Sequence, residues 1–322
     1  ADTDALYLTA IDKYGHELWR WTFPVDKLNQ QTEQLSPLSS RPAYTETENE
    51  LTVKANKCTF IFSKKDGQLK GVSVDNRKIS FANGPRFIGA RRADRSLDQF
   101  YNHDDEKAKE KDRTYSEFPD AAVFTKLDVK EDGGNLVVTA NYKLGNLDKT
   151  QWTIYPSGEL ALDYTYNFSG VVDLMGIRFD YPEDQVISKR WLGAGPYRVW
   201  QNRIHGTQYD VWENDYNDPI PGETFTYPEF KGYFGDVSWM NIQTKEGTIS
   251  LTNETPDAYI GVYQPRDGRD RLLYTLPESG ISVLNVIPPV RNKVNSTDLC
   301  GPSSQPKWVN GPQTGRVIFR FM

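Results

Sequence analysis

The residues best suited to chemistry crowd into one segment, Trp191-Leu192-Gly193-Ala194-Gly195-Pro196-Tyr197-Arg198-Val199-Trp200-Gln201-Asn202-Arg203. An apolar, strand-like entry meets two glycines and a proline, then a run of aromatic and guanidinium groups. Glycine admits φ > 0 and close backbone approach, and Pro196 fixes the chain where it leaves the strand. Such a turn can hold Tyr197, Arg198 and Trp200 at a sheet edge, a chemistry suited to flat polar ligands such as sugars. An indole covers the apolar C–H face of a sugar, while arginine donates paired hydrogen bonds to hydroxyls or to a uronate. The same residues serve equally well as a tight turn whose aromatics pack on a neighbouring sheet. Arg203, Trp212 and Tyr227 complete the set of candidate carbohydrate contacts.

Other chemistries find less support. Glu213, Asp215, Asp218, Glu223 and Glu229 gather in a loop-rich stretch, match no catalytic pattern and read as a charged rim. A retaining glycosidase needs two carboxyl groups about 5 Å apart, and no residue here is assigned a catalytic role. The three histidines are His16, His103 and His205. His103 beside Asp104 imitates a base with its orienting acid, and His205 follows the Gly-Pro turn; both read as surface loop histidines. No C-x-x-C, H-E-x-x-H or EF-hand spacing occurs, so the sequence supplies no zinc or calcium motif, and no cofactor is expected. An irregular calcium site of loop carbonyls and carboxylates would leave no such signature. Cys58 and Cys300 lie far apart and read as separate, reduced thiols.

The net charge of −6 over 322 residues argues against a nucleic-acid binder. Basic and acidic residues are interspersed, without a polybasic membrane patch, and nothing approaches the ~18 apolar residues of a membrane span. The opening Ala1-Asp2-Thr3-Asp4-Ala5 is no signal peptide and reads as a cut domain boundary.

The elements that must position these residues are strands. Aromatics make up 13%, with 24 glycines and 19 prolines, a mixture favouring strands and tight turns. Leu6 to Ile11 and Glu17 to Phe23 form a hairpin with one aromatic face, since Trp19, Trp21 and Phe23 alternate with Leu18, Arg20 and Thr22. Residues 24–50, rich in Gln, Ser, Thr and Pro, read as a linker. From Leu51 strand follows strand: 51–55, 58–63, 69–74, 124–129, 136–142, 160–166, 237–244, 248–252, 258–263 and 316–321, with hairpin signals at Lys65-Asp66-Gly67 and Glu131-Asp132-Gly133-Gly134. One stretch departs from this, the charged Asn102 to Arg113, which reads as a solvated loop or short helix. The expectation is an all-β fold, a large antiparallel sandwich.

Several short motifs carry a family resemblance. Gly193, Gly195 and Pro196, then Arg203, resemble the Gly-x-Gly-Pro turn and Asp-Arg pair of family 2 glycoside hydrolases of the β-galactosidase kind, with Asn202 where aspartate is usual. Gln151 to Leu160 resembles a hairpin of that family, and Gly176-Ile177-Arg178 its strand with an arginine next to Ile-Gly. Gly84-Pro85-Arg86-Phe87 with Arg92-Ala93-Asp94, and Tyr227-Pro228-Glu229, resemble two further motifs, in the same order along residues 45 to 322. The resemblance is to the family's C-terminal, small-chain-type domain. It implies a β-supersandwich of the galactose mutarotase-like kind at 51–322, preceded by a linker at 24–50. Residues 1–23 would then be the end of an immunoglobulin-like domain, or else a hairpin that docks onto the main sheet through Trp19 and Trp21.

The function so implied is that of a non-catalytic domain, because the family's two catalytic carboxylates sit on a (β/α)8 barrel and no alternating strand-helix pattern occurs here. Its partners would be the catalytic barrel and immunoglobulin-like domains of the same parent chain, a carbohydrate substrate and a second subunit, with no nucleic acid and no membrane. A periplasmic or secreted location goes with it. The family's sugar-stacking loop corresponds to Pro288 through Pro302, where no tryptophan stands at the matching point and Trp308 comes later. Two other functions remain open, a free-standing carbohydrate-binding module and an aldose 1-epimerase, the latter requiring a histidine opposite a glutamate.

Overall fold

The computed structural model describes residues 5–25, 40–92, 115–215, 232–262, 277–289 and 302–322. No α-helix occurs among them. Strands β1 (Ala5–Ile11) and β2 (Glu17–Pro24) form the N-terminal hairpin. Next come β3 (Ala43–Glu46), β4 (Glu50–Ala55), β5 (Cys58–Ser63), β6 (Leu69–Val74), β7 (Arg77–Ile79), β8 (Ala82–Arg92) and β9 (Tyr115–Glu117). Four long strands follow, β10 (Val123–Asp132), β11 (Asn135–Lys143), β12 (Leu147–Ile154) and β13 (Leu160–Val172). Then come β14 (Leu174–Asp180), β15 (Val186–Gly195), β16 (Gln208–Asp215), β17 (Trp239–Thr244), β18 (Gly247–Asn253), β19 (Tyr259–Gly261), β20 (Ile281–Val286) and β21 (Lys307–Phe321).

Among the described residues, β3 to β21 make two large antiparallel sheets, the expected supersandwich. One has nine strands in the order β10-β11-β12-β13-β21-β18-β17-β15-β16. The other has ten, β19-β20-β14-β8-β6-β5-β4-β3 with β7 beside β6 and β9 beside β8. Period-two patterning decides which face is buried: Leu136, Val138 and Ala140 of β11 point inward, as do Trp152 and Ile154 of β12. Aromatic rings lock the two layers together. Phe62 meets Trp152 with centroids 6.0 Å apart, Phe87 meets Tyr166 at 5.5 Å, and Phe81 meets Phe319 at 5.0 Å.

The turns follow from their residues. Gly133 and Gly134 join β10 to β11 with φ of 59° and 92°, the two positive angles that a two-residue hairpin of matching twist requires. Asp75 and Asn76 do the same between β6 and β7. Within the expected linker at 24–50, Ala43–Glu46 forms an edge strand on β4; residues 26–39 and the charged 102–113 stretch lie outside the described residues. Strand β21 runs nine residues further toward its start than the Arg316–Phe321 run, because Lys307 to Gly315 pairs with β13 from Val172 back to Tyr164.

Candidate functional site

Strand β15 delivers the glycine-rich turn. Trp191 is buried against Phe234 at 4.9 Å and donates its indole N–H to the Ala194 carbonyl at 3.0 Å. Gly193 and Gly195 are not in the left-handed region; both are required by close approach. A Cβ on Gly193 would lie 3.0 Å from the carbonyl oxygens of Gly235 and Asp236, and one on Gly195 would enter the Trp212 ring, 2.6 Å from Cγ. The Gly195-Pro196 peptide is cis, as is Gly84-Pro85.

Beyond Pro196 the chain lies on the outer face of the ten-stranded sheet. Val199 exchanges backbone hydrogen bonds with Tyr233 at 2.7 and 2.8 Å, and Trp200 with Arg203 closes the next turn. Trp200 is only 1% exposed. Its ring stands across Tyr233 at 5.6 Å, in an apolar cluster with Ile88, Leu174, Leu284 and Ile287. Arg198 is buried as well, its guanidinium 5.9 Å from the Phe234 ring centroid. The structure thus brings Tyr197, Arg198, Trp200 and Arg203 onto one turn, with Trp212 packed on the glycine that precedes it. Tyr197 and Arg203 are the exposed members, Trp212 is half-buried, and Trp200 offers no open ring face. Tyr227 lies outside the described residues.

The same sheet face joins two arginines that sequence spacing could not connect. Arg86 of β8 stands directly opposite Arg178 of β14. Arg86 pairs with Asp180, which also accepts from Asn83 at 2.8 Å; Arg178 pairs with Glu117 at 3.4 Å and donates to the Glu278 carbonyl. Asp120 lies near both, and burial raises its carboxyl above the ordinary range despite their positive charge.

The remaining candidates are dispersed. His16 meets Asp12 at 3.1 Å at the exposed hairpin tip, His205 is exposed, and His103 lies outside the described residues. Glu213 is exposed on β16, and Asp215 ends that strand; Asp218, Glu223, Glu229 and the Val290–Gly301 stretch are outside the description. Trp308 is 71% exposed on β21. Cys58 is a free, buried thiol whose pKa burial pushes up to about 11; Cys300 is not among the described residues. No cluster of metal-ligating side chains occurs among the described residues.

One grouping had no sequence signal. On the outer face of the nine-stranded sheet, Gln151, Asp163 and Arg316 form one cross-strand row, and Lys149, Thr165 and Thr314 the next. Arg316 is clamped by Asp163, by Glu254 at 2.9 Å and by the Tyr155 hydroxyl at 3.2 Å. Burial alone would lower its pKa; the hydrogen bond and charge of Asp163 outweigh that and raise it. Period two reveals that these positions face outward, but only strand register reveals that they meet.

Comparison with known proteins gives a family. A family model described as β-galactosidase small chain matches residues 54–288. No curated protein matches the sequence. Among solved structures, galactose 1-epimerase from Lactobacillus acidophilus NCFM is similar with a TM-score of 0.48 and 11% identity, covering 88% of this chain and 99% of that one. An aldose epimerase homologue from C. elegans has a TM-score of 0.39 at 6% identity, covering 87% and 99% of the two chains. A protein described as a putative aldose 1-epimerase from Escherichia coli K12 has a TM-score of 0.35 at 12% identity, with the same coverage.

Proposed function

This chain belongs to the β-galactosidase small-chain family, and on that premise we propose that it is a non-catalytic domain of a larger β-galactosidase-like glycoside hydrolase. In this reading it packs on a catalytic barrel elsewhere in its parent polypeptide. The exposed Tyr197 and Arg203 at the Gly195-Pro196 turn would then complete the carbohydrate cleft. A periplasmic or secreted parent belongs to the same proposal.

The observation that carries it is the N-terminal hairpin. Tyr7, on one face, donates to Asp210 of β16 at 2.8 Å and holds the hairpin to the body. The other face presents Leu6, Leu8, Trp19, Trp21 and Phe23 in register, each 45–62% exposed. A two-stranded hairpin is marginal alone, and a contiguous apolar face of this kind marks an interaction surface. A second sheet layer of a neighbouring domain is what it fits. A free-standing module would have a polar face there.

The test is complementation. The parent polypeptide lacking these residues is assayed for lactose cleavage with and without this chain added. Restored cleavage supports the reading. Full activity without the chain, or no longer parent polypeptide at all, overturns it.

A further inference from the structure

The groove on the nine-stranded sheet lies on the opposite side of the sandwich from the Trp200 turn. Its volume of about 400 Å³ falls within the roughly 300–1,000 Å³ of small-molecule sites. We propose that this groove is a binding site for a neutral saccharide. The inference goes beyond the reading above and does not depend on whether the chain docks onto another domain.

Three observations carry it. The first is charge balance: Lys149 and Arg316 are matched by Asp163 and Glu254, so neither an anion nor a cation meets a net opposite charge. The second is rigidity. Arg316 is held from three sides, and its backbone N–H and carbonyl both bond the Thr255 hydroxyl, at 2.9 and 3.1 Å. The groove wall is therefore pre-formed, which lowers the ordering cost of binding. The third is the kind of bonding left over. Asp163 uses Oδ2 and Glu254 uses Oε2 toward the arginine, leaving Oδ1 and Oε1 as acceptors. The Gln151 amide, the Lys149 ammonium and the hydroxyls of Thr165 and Thr314 face the same space as donors or two-way groups. Donors and acceptors in comparable number suit a ligand whose every group does both, which is a ring of hydroxyls. Pro256 adds an apolar wall for its C–H face. The polar lining makes a lipid a poor fit.

The test is a titration of the full chain with lactose, read by the methyl signals of Thr165 and Thr314 in protein labelled at threonine methyls. Both signals are expected to shift saturably in the millimolar range. Gln151→Ala should weaken binding about fivefold, the worth of one hydrogen bond, with an unchanged unfolding midpoint. Thr314→Val, which keeps the shape and removes the hydroxyl, should act likewise. Absence of saturable shifts, or shifts insensitive to both variants, overturns the site. Galacturonate binding tenfold tighter than lactose overturns the neutral class.

Discussion

The indole of Trp212 lies against the Cα of Gly195, leaving no room for a Cβ: one built there would stand 2.6 Å from both Cγ and Nε1 of the ring. Trp212 is pinned in turn by its own N–H, which donates to the Gln208 carbonyl at 3.0 Å. The glycine is therefore a packing requirement of strand β16 on strand β15, and the path of the chain into Pro196 depends on it.

Gly195→Ala should destabilise the protein by about 1–3 kcal/mol, the cost of overpacking a filled site. Trp212→Leu, which removes the obstructing ring, should make the alanine nearly free. Urea unfolding of both single variants and the double variant measures this coupling. Strict additivity would contradict the contact.

The turn residues divide by burial. Trp200→Ala removes a filled ring from the cluster around Tyr233 and should cost about 3–5 kcal/mol. Tyr197→Ala, at a side chain 44% exposed, should change stability by less than about 0.5 kcal/mol. Denaturant midpoints of the two variants check the contrast.

Cys58 supplies a pH dependence. Its folded pKa of about 11 lies above the 9.0 of an accessible thiol, because burial disfavours the thiolate. The contribution to stability is fully present below pH 9 and is lost as pH rises through 11. The unfolding midpoint should fall over that window, and Cys58→Ala should lack this component. In a Cys300→Ser background, a thiol reagent at pH 8 should label Cys58 only after unfolding.

The hairpin face should make the isolated chain self-associate or bind a hydrophobic dye. Leu8→Lys, in the centre of that face opposite Trp21, should reduce both without lowering the unfolding midpoint. Sedimentation and dye fluorescence report the outcome. Unchanged dye binding would mean that the face is already covered.

The parts of the fold legible in the sequence are those with local signals. The alternation of β11 and the Gly133-Gly134 turn announce themselves. Edge strand β3 was hidden in a linker-like stretch because Ala43-Tyr44-Thr45-Glu46 is short and wholly exposed. The start of β21 was hidden by Gly311, Pro312 and Gly315, which weaken any strand signal. Only pairing with the extended β13 holds those residues in the sheet. The aromatic turn was located by its residues, but their burial was not, since Trp200 and Tyr197 look alike in sequence and differ by what covers them. Asp163 and Arg316 are 153 positions apart and meet through register alone.

The most direct measurement is a proton NMR time course of the anomeric signals of lactose and of freshly dissolved α-galactose with this chain alone. Lactose should stay intact, and the anomers should exchange at the uncatalysed rate. Cleavage of lactose, or accelerated exchange that disappears in His205→Ala, would contradict the non-catalytic reading and place a catalytic centre within this chain.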